Sequence, residues 1–224
     1  MDPSKITFVI PIFQLTRVRE ENFWFTLDKI RSTGCSVIVV EQRASDKWSN
    51  IEIKISHIID RQLRFYTCII EDTKIHKSRL INTGTAKAET PYIWVNDIDC
   101  FLNFSDIIPD VPADKLFIRP FDVCINLTHE QTRNVISDRL QEIDFDNKKT
   151  RHIRLYGALS FIYNKQAFLE IGGMDESFIG WGLEDHDIND RVQSQHTIEV
   201  LTNHRGVHLW HALTRPNIDN WHEK

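Results

Sequence analysis

Three short stretches carry the residues able to do chemistry. Asp97-Ile98-Asp99 closes an apolar run, Pro91-Tyr92-Ile93-Trp94-Val95-Asn96. Two carboxylates one residue apart at a strand end can both turn toward one cation. Oxygen ligands of this kind suit Mg²⁺ or Mn²⁺, which commonly bridges nucleotide phosphates. The plainer reading is a solvated turn, and the buried run before it weighs against that. His208-Leu209-Trp210-His211 sets two imidazoles three residues apart, close enough to converge where the backbone turns. Histidine ligands shift a site from Mg²⁺ toward Mn²⁺ or another transition metal. Taken alone, this pair reads more simply as two surface histidines. Glu184-Asp185 follows Gly180-Trp181-Gly182 directly. A helix dipole favours carboxylates at a helix start and accounts for Glu184, Asp185 and Asp187 without function. It does not account for an aromatic residue between two glycines, the composition of a hinged lid over a ligand.

Stepping outward, residues 5–12 and 36–41 are near-continuous apolar runs, the pattern of strands buried on both faces of a parallel sheet. A helix is expected over 17–32, closed by Thr33-Gly34. This strand–helix–strand unit predicts a right-handed crossover. Residues 51–59 alternate apolar with polar and read as a strand or sheet edge. Further strands are expected at 65–70, 91–96, 116–121, 158–163, 198–201 and 207–210. Helices are expected at 77–89, where Gly84 is unfavourable, and at 134–143, 165–171 and 183–193. Residues 144–154 read as a mobile loop. The pattern is an α/β fold with a mostly parallel central sheet flanked by helices. Ligands in such folds bind beyond the carboxyl ends of strands, where residues 11–17, Glu41 and 97–99 fall.

Composition excludes several classes. A net charge of −5 supplies no basic field to attract nucleic acid. No apolar stretch approaches the roughly 20 residues of a membrane helix, and residues 6–13 are too short for a signal peptide. Cys35, Cys68, Cys100 and Cys124 are widely spaced without a CxxC, and reduced thiols are expected. Asn126-Leu127-Thr128 fits a glycosylation sequon.

Taken in order, these segments resemble the β-1,4-galactosyltransferase family. The run from Gly173 through Met174-Asp175-Glu176-Ser177-Phe178-Ile179-Gly180-Trp181-Gly182-Leu183-Glu184 to Asp185 is similar to that family's C-terminal signature, shared with chondroitin-type N-acetylgalactosaminyltransferases. Phe8-Val9-Ile10-Pro11 and Val39-Val40-Glu41-Gln42 resemble its two nucleotide-binding strands. Arg79-Leu80-Ile81-Asn82-Thr83-Gly84 resembles the segment before its metal strand. Asp97-Ile98-Asp99 matches the DxD motif, and Tyr156-Gly157-Ala158-Leu159-Ser160 resembles the donor-sugar strand. His208-Leu209-Trp210-His211 matches the C-terminal metal segment.

The resemblance implies a GT-A fold, a single Rossmann-like domain over 1–224, with a nucleotide-binding half (1–100) and an acceptor and catalytic half (101–224). It implies transfer of a hexose, Gal or GalNAc favoured, from a UDP-sugar to a hydroxyl of a glycan or other acceptor, with Mn²⁺ as cofactor and Mg²⁺ as the alternative. By position, Asp99 is the main carboxylate ligand, Asp97 lies nearer the nucleotide, and His211 is the metal histidine. His208 stands where galactosyltransferases carry a methionine ligand. Pro11, Phe13, Arg17, Glu41 and Asn82 would meet the nucleotide; Gly157, Ala158, Trp181 and Glu184 the sugar. Asp185 falls on the catalytic base, where related retaining enzymes carry Asn, so inversion is expected. Leu155 replaces a tyrosine that crowds an N-acetyl group. Ile12-Phe13-Gln14, followed by Arg17 and Arg19, departs from the family's usual turn. The family's stem and membrane anchor are missing, which fits a cytoplasmic enzyme of bacterial or viral type or an excised catalytic domain. The alternatives are a retaining GT-A transferase, a nucleotidyltransferase, or a non-catalytic module that binds a nucleotide sugar.

Overall fold

The computed structural model describes residues 1–137, 152–154, 160–180 and 182–212, with the backbone alone for 152–154. After a 3₁₀ turn (Pro3–Lys5), the first half runs β1 (Ile6–Phe13), α1 (Arg17–Arg31), β2 (Ser36–Arg43), α2 (Asn50–Ser56), β3 (Leu63–Ile69), α3 (Lys77–Lys87) and β4 (Tyr92–Asn96). The second half adds β5 (Cys100–Phe101), α4 (Phe104–Asp110), β6 (Phe117–Arg119), β7 (Val123–Asn126), α5 (His129–Ile136), β8 (His152–Arg154) and β9 (Ser160–Asn164). It ends with α6 (Lys165–Glu170), α7 (Glu184–Gln193), β10 (Ile198–Val200) and β11 (Arg205–His208).

The central sheet has seven strands in the order β10-β6-β9-β4-β1-β2-β3. Only β9 runs against the others, pairing antiparallel with both β4 and β6. The mostly parallel sheet expected from the apolar runs is present. Its strands alternate between two covered faces. Phe8, Ile10 and Ile12 of β1 join the core under α1, α2 and α4, whereas Val9 joins the core under α3, α6 and α7. On the first face Phe8 stacks on Trp94 at 4.7 Å and meets Phe104 edge-on at 5.4 Å. Removing a buried aromatic such as Trp94 typically costs about 3–5 kcal/mol.

Gly84, unfavourable in a helix by propensity, is what lets α3 lie on β1. A Cβ there would collide with the Val9 side chain and reach 3.2 Å from Val40 Cγ2. Close backbone approach outweighs the propensity cost.

Several element boundaries differ from the expectation. Residues 51–59 do not form a strand. Ser49 caps a helix there, its Oγ accepting from Glu52 N at 3.0 Å. Ile51 and Ile55, one helical turn apart, are buried while Ile53 is exposed. The alternation was compatible with both periods, and the cap decides for the helix. The helix expected at 134–143 begins earlier, at His129, behind a Thr128–Gln131 capping box. Within the segment expected to be a loop, 152–154 form β8; residues 138–151 are not among those described. The short elements α4, β5 and β7 had no readable period.

A second sheet, β5-β11-β7-β8, lies beyond the end of β4. It positions the site: β11 pairs antiparallel with β5 so that His208 faces Cys100, the residue after Asp99. All four cysteines are free, three of them buried. No helix among the described residues is long and apolar enough to cross a membrane.

Candidate active site

The turn after β4 is stapled from both sides. Asn96 Nδ2 donates to the carbonyls of Asp97 and Cys100 at 2.8 and 2.9 Å, and Cys100 N donates to Asp97 O at 3.0 Å. Thr26 Oγ1, from α1, donates to Ile98 O at 2.9 Å. Ile98 is buried, so Asp97 and Asp99 flank an apolar anchor. The end of β11 docks onto this turn through Leu209 N donating to Asp99 O at 2.7 Å. Trp210 N donates to Thr132 Oγ1 of α5 at 2.7 Å, which turns the chain and brings His211 back beside His208.

The result is a cluster. Asp99 Oδ2 lies 3.3 Å from His211 Nε2, and Oδ1 lies 3.7 Å from His208 Nε2. One ligand atom from each of the three residues falls within 4.8 Å of the other two. Burial lowers the His208 pKa, against an opposing pull from Asp99, so the imidazole is held neutral with a lone pair to offer. His211 Nδ1 donates to Ala212 O at 3.1 Å, and its Nε2 faces the Asp99 carboxylate. One carboxylate with two imidazoles converging on it fits a transition-metal donor set. Asp97 stands apart from this cluster.

Asp97 Oδ2 instead meets Lys77 Nζ at 3.2 Å. Burial raises the Asp97 pKa, partly offset by Lys77. The same ammonium lies 3.8 Å from Glu184 Oε1 and 3.8 Å from Asp185 Oδ2. Burial acts against the Lys77 charge, but Asp185, Asp97 and Glu184 outweigh it and raise its pKa. The two carboxylates of α7 enter this group because the chain before them is bent in the left-handed region: Gly180 at φ 89°, Gly182 at 102° and Leu183 at 69°. A leucine at that φ is strained, since its Cβ crowds the backbone. Glu184 is buried and its Oε2 has no hydrogen-bond partner among the described residues.

The expected nucleotide contacts divide. Pro11, Phe13 and Glu41 lie at the carboxyl ends of β1 and β2, in register across the sheet. Glu41 is buried, accepts from Ser49 Oγ at 2.7 Å, and has its pKa raised by burial. Arg17 is 92% exposed and pairs with Glu21, so the fold does not bring it to the Asp99–His208–His211 cluster. Arg19 reaches Asp99 Oδ2 at 3.4 Å in its stead. Asn82 clamps the turn after α6: its Nδ2 donates to Met174 O at 2.9 Å, and its Oδ1 accepts from Met174 N at 2.9 Å. Gly157, Ala158 and Trp181, with Leu155, lie outside the described residues. Asp187 pairs with Arg191 and serves as scaffold.

Sequence reasoning missed Lys77 and the Arg19–Asp99 contact. Lys77 is the first residue of α3, and its only sequence signal is a cation where the helix dipole disfavours one.

A family model described as the N-terminal domain of galactosyltransferase matches residues 142–212, less than half of the chain. Mouse beta-1,4-galactosyltransferase 1 is 29% identical over 146 residues, which are 65% of this chain and 29% of that protein. The chain therefore spans under a third of that relative's length. Among solved structures, GalNAc-T7 with UDP, GalNAc and Mn²⁺ superposes with a TM-score of 0.63 at 12% identity, covering 92% of this chain and 44% of that one. TarS from S. aureus (1–349) with UDP-GlcNAc gives 0.61 at 12% identity, covering 93% and 60%. A mutant of Drosophila beta-1,4-galactosyltransferase 7 with manganese, UDP-Gal and xylobiose gives 0.50 at 16% identity, covering 88% and 64%. The fold is that of the GT-A glycosyltransferases.

Proposed function

We propose that this chain is an inverting glycosyltransferase that moves a hexose, Gal or GalNAc, from a UDP-sugar to a hydroxyl of a glycan or similar acceptor. The observation that carries this reading is a juxtaposition. The Asp99–His208–His211 cluster and the Glu184–Asp185 pair, far apart in sequence, lie at one end of the sheet and are joined through Asp97 and Lys77. The family-model match, which ends at Ala212 just beyond the metal segment, supports it.

Asp99, His208 and His211 would hold a divalent cation, Mn²⁺ by the mixed carboxylate–imidazole set, whose charge offsets that of the diphosphate leaving group. An all-oxygen set would have suited Mg²⁺ better. The protein's own residues do the rest. Glu184 is buried with a spare carboxylate oxygen and can accept from a sugar hydroxyl. Asp185 takes the proton of the acceptor hydroxyl as its oxygen bonds to the anomeric carbon. The anomeric carbon–phosphate oxygen bond breaks, and UDP departs with the bonding pair. The transition state has oxocarbenium character, as in glycoside hydrolysis. A base opposite the leaving group inverts the anomeric centre. Glu41, Pro11 and Phe13 border the uridine end, in the half made by residues 1–100. The acceptor meets residues of 101–224, Asp185 among them.

The test is a screen of UDP-sugars with Mn²⁺, reading donor hydrolysis, followed by NMR of the product's anomeric configuration. Turnover of UDP-Gal or UDP-GalNAc with inversion supports the reading. Retention, release of pyrophosphate, or binding of every donor with no turnover would replace it with another.

A further inference from the structure

We infer that Lys77 is a positioning residue for the transfer reaction, orienting the proposed base Asp185 and tying it to the metal-side turn through Asp97. The inference rests on the function proposed above. One ammonium meets three carboxylates from two different elements: Asp97 beyond β4, and Glu184 and Asp185 at the start of α7. An ammonium has three N–H donors. Only the Asp97 contact, at 3.2 Å, is a hydrogen bond; Glu184 and Asp185 stand at 3.8 Å. At that separation the charge still attracts both carboxylates, but the contact does not occupy their oxygens. Glu184 Oε2 stays buried without a hydrogen-bond partner among the described residues.

A lysine serving stability alone is expected to satisfy its acceptors, since a buried unmatched oxygen is costly. Here one cation faces three carboxylates and one oxygen remains unmatched, which is the arrangement of a site awaiting a ligand.

The base of the lysine is firmly held. His76, the residue before it, donates N–H to Gln42 Oε1 at 2.7 Å, and its ring meets Asp72 at 2.9 Å. Gln42 Nε2 donates to Lys74 O at 2.7 Å. Gly180 N donates to Ile75 O at 2.7 Å, so the bend before α7 hangs from the same short segment that carries Lys77. The ammonium and the base are thereby held in one frame.

The experiment compares donor hydrolysis by wild type, Lys77→Met and Lys77→Arg in the presence of Mn²⁺, with Mn²⁺ and UDP affinities measured by calorimetry on the same samples. Lys77→Met is expected to lower kcat roughly 10–100-fold, the scale of a misplaced catalytic group, with both affinities within about threefold of wild type. Lys77→Arg restores part of the loss by restoring the charge. Because Lys77 acts through Asp185, Lys77→Met on an Asp185→Asn background costs little more than Asp185→Asn alone. If Lys77→Met does not fold, Lys77→Gln removes the charge at similar length and carries the same comparison. Wild-type turnover with an unchanged kcat in the folded variant overturns the role of Lys77 alone. Losses that multiply in the double variant, or a loss confined to UDP affinity, overturn it as well. Absence of turnover by wild type with every UDP-sugar overturns the proposed function, and this inference with it.

Discussion

The Arg19 guanidinium lies 3.4 Å from Asp99 Oδ2, the oxygen that also faces His211 Nε2 at 3.3 Å. Arg19 therefore stands against the same carboxylate that would hold a divalent cation. Its Nε is buried without a partner among the described residues, so the side chain is incompletely satisfied where it rests. Replacing it with Met removes a competing cation. Mn²⁺ binding without nucleotide is expected to tighten roughly two- to fivefold, the scale of a partly exposed ion pair. Calorimetry reads this directly; weaker Mn²⁺ binding would mean that Arg19 supports the cluster instead of competing for it.

Asp99 contributes the only carboxylate of the cluster. Asp99→Ala is expected to abolish Mn²⁺-dependent UDP binding. An unchanged calorimetric affinity would remove Asp99 from the site.

Asp185→Asn keeps size and polarity but cannot accept the acceptor's proton. Donor turnover with Mn²⁺ is expected to fall about 10²–10⁴-fold, while Mn²⁺ affinity is retained. Near wild-type turnover would assign the base elsewhere.

His208 yields a prediction of pH dependence. Burial depresses its folded pKa below the ordinary 6.5. Between 6.5 and the folded value, the unfolded chain binds a proton that the folded chain does not. Stability therefore falls as pH drops below about 6.5 and levels off once the folded pKa is passed. In chelator, the urea midpoint of wild type should decline across that window more steeply than that of His208→Gln. Parallel curves would show that His208 is not held neutral by the fold.

Gly84→Ala introduces a methyl that collides with Val9 between α3 and β1. Helix propensity alone would make it stabilising. Overpacking is expected to win, costing about 1–3 kcal/mol, read as a lowered urea midpoint at unchanged m-value.

Much of this protein is legible in its sequence because the signals are local. The runs in β1, β2 and β4 are apolar on both faces, so burial on both sides follows from composition. Asp97 and Asp99 are found because a strand ends where charge begins. Glu184 and Asp185 are marked by the glycines that precede them. The ordered motifs point to one fold. Residues 51–59 show the limit: three alternate isoleucines suit either period, and only the Ser49 cap and the burial of Ile51 and Ile55 distinguish them.

What the tertiary structure alone decided are contacts between distant segments. Nothing near Lys77 in sequence announces three carboxylates, since Asp97, Glu184 and Asp185 reach it only when the end of β4 and the start of α7 lie beside the start of α3. Arg17 and Arg19 look equivalent in sequence, and helical phase sends one to solvent and the other to Asp99. His208 and His211 read as two surface histidines until β11 pairs with β5 and sets them against Asp99. The sequence alone determined which residue types were available and where the chain turns. Packing determined which charges meet, because electrostatic partnership depends on distance in space and burial, and neither is encoded in local periodicity.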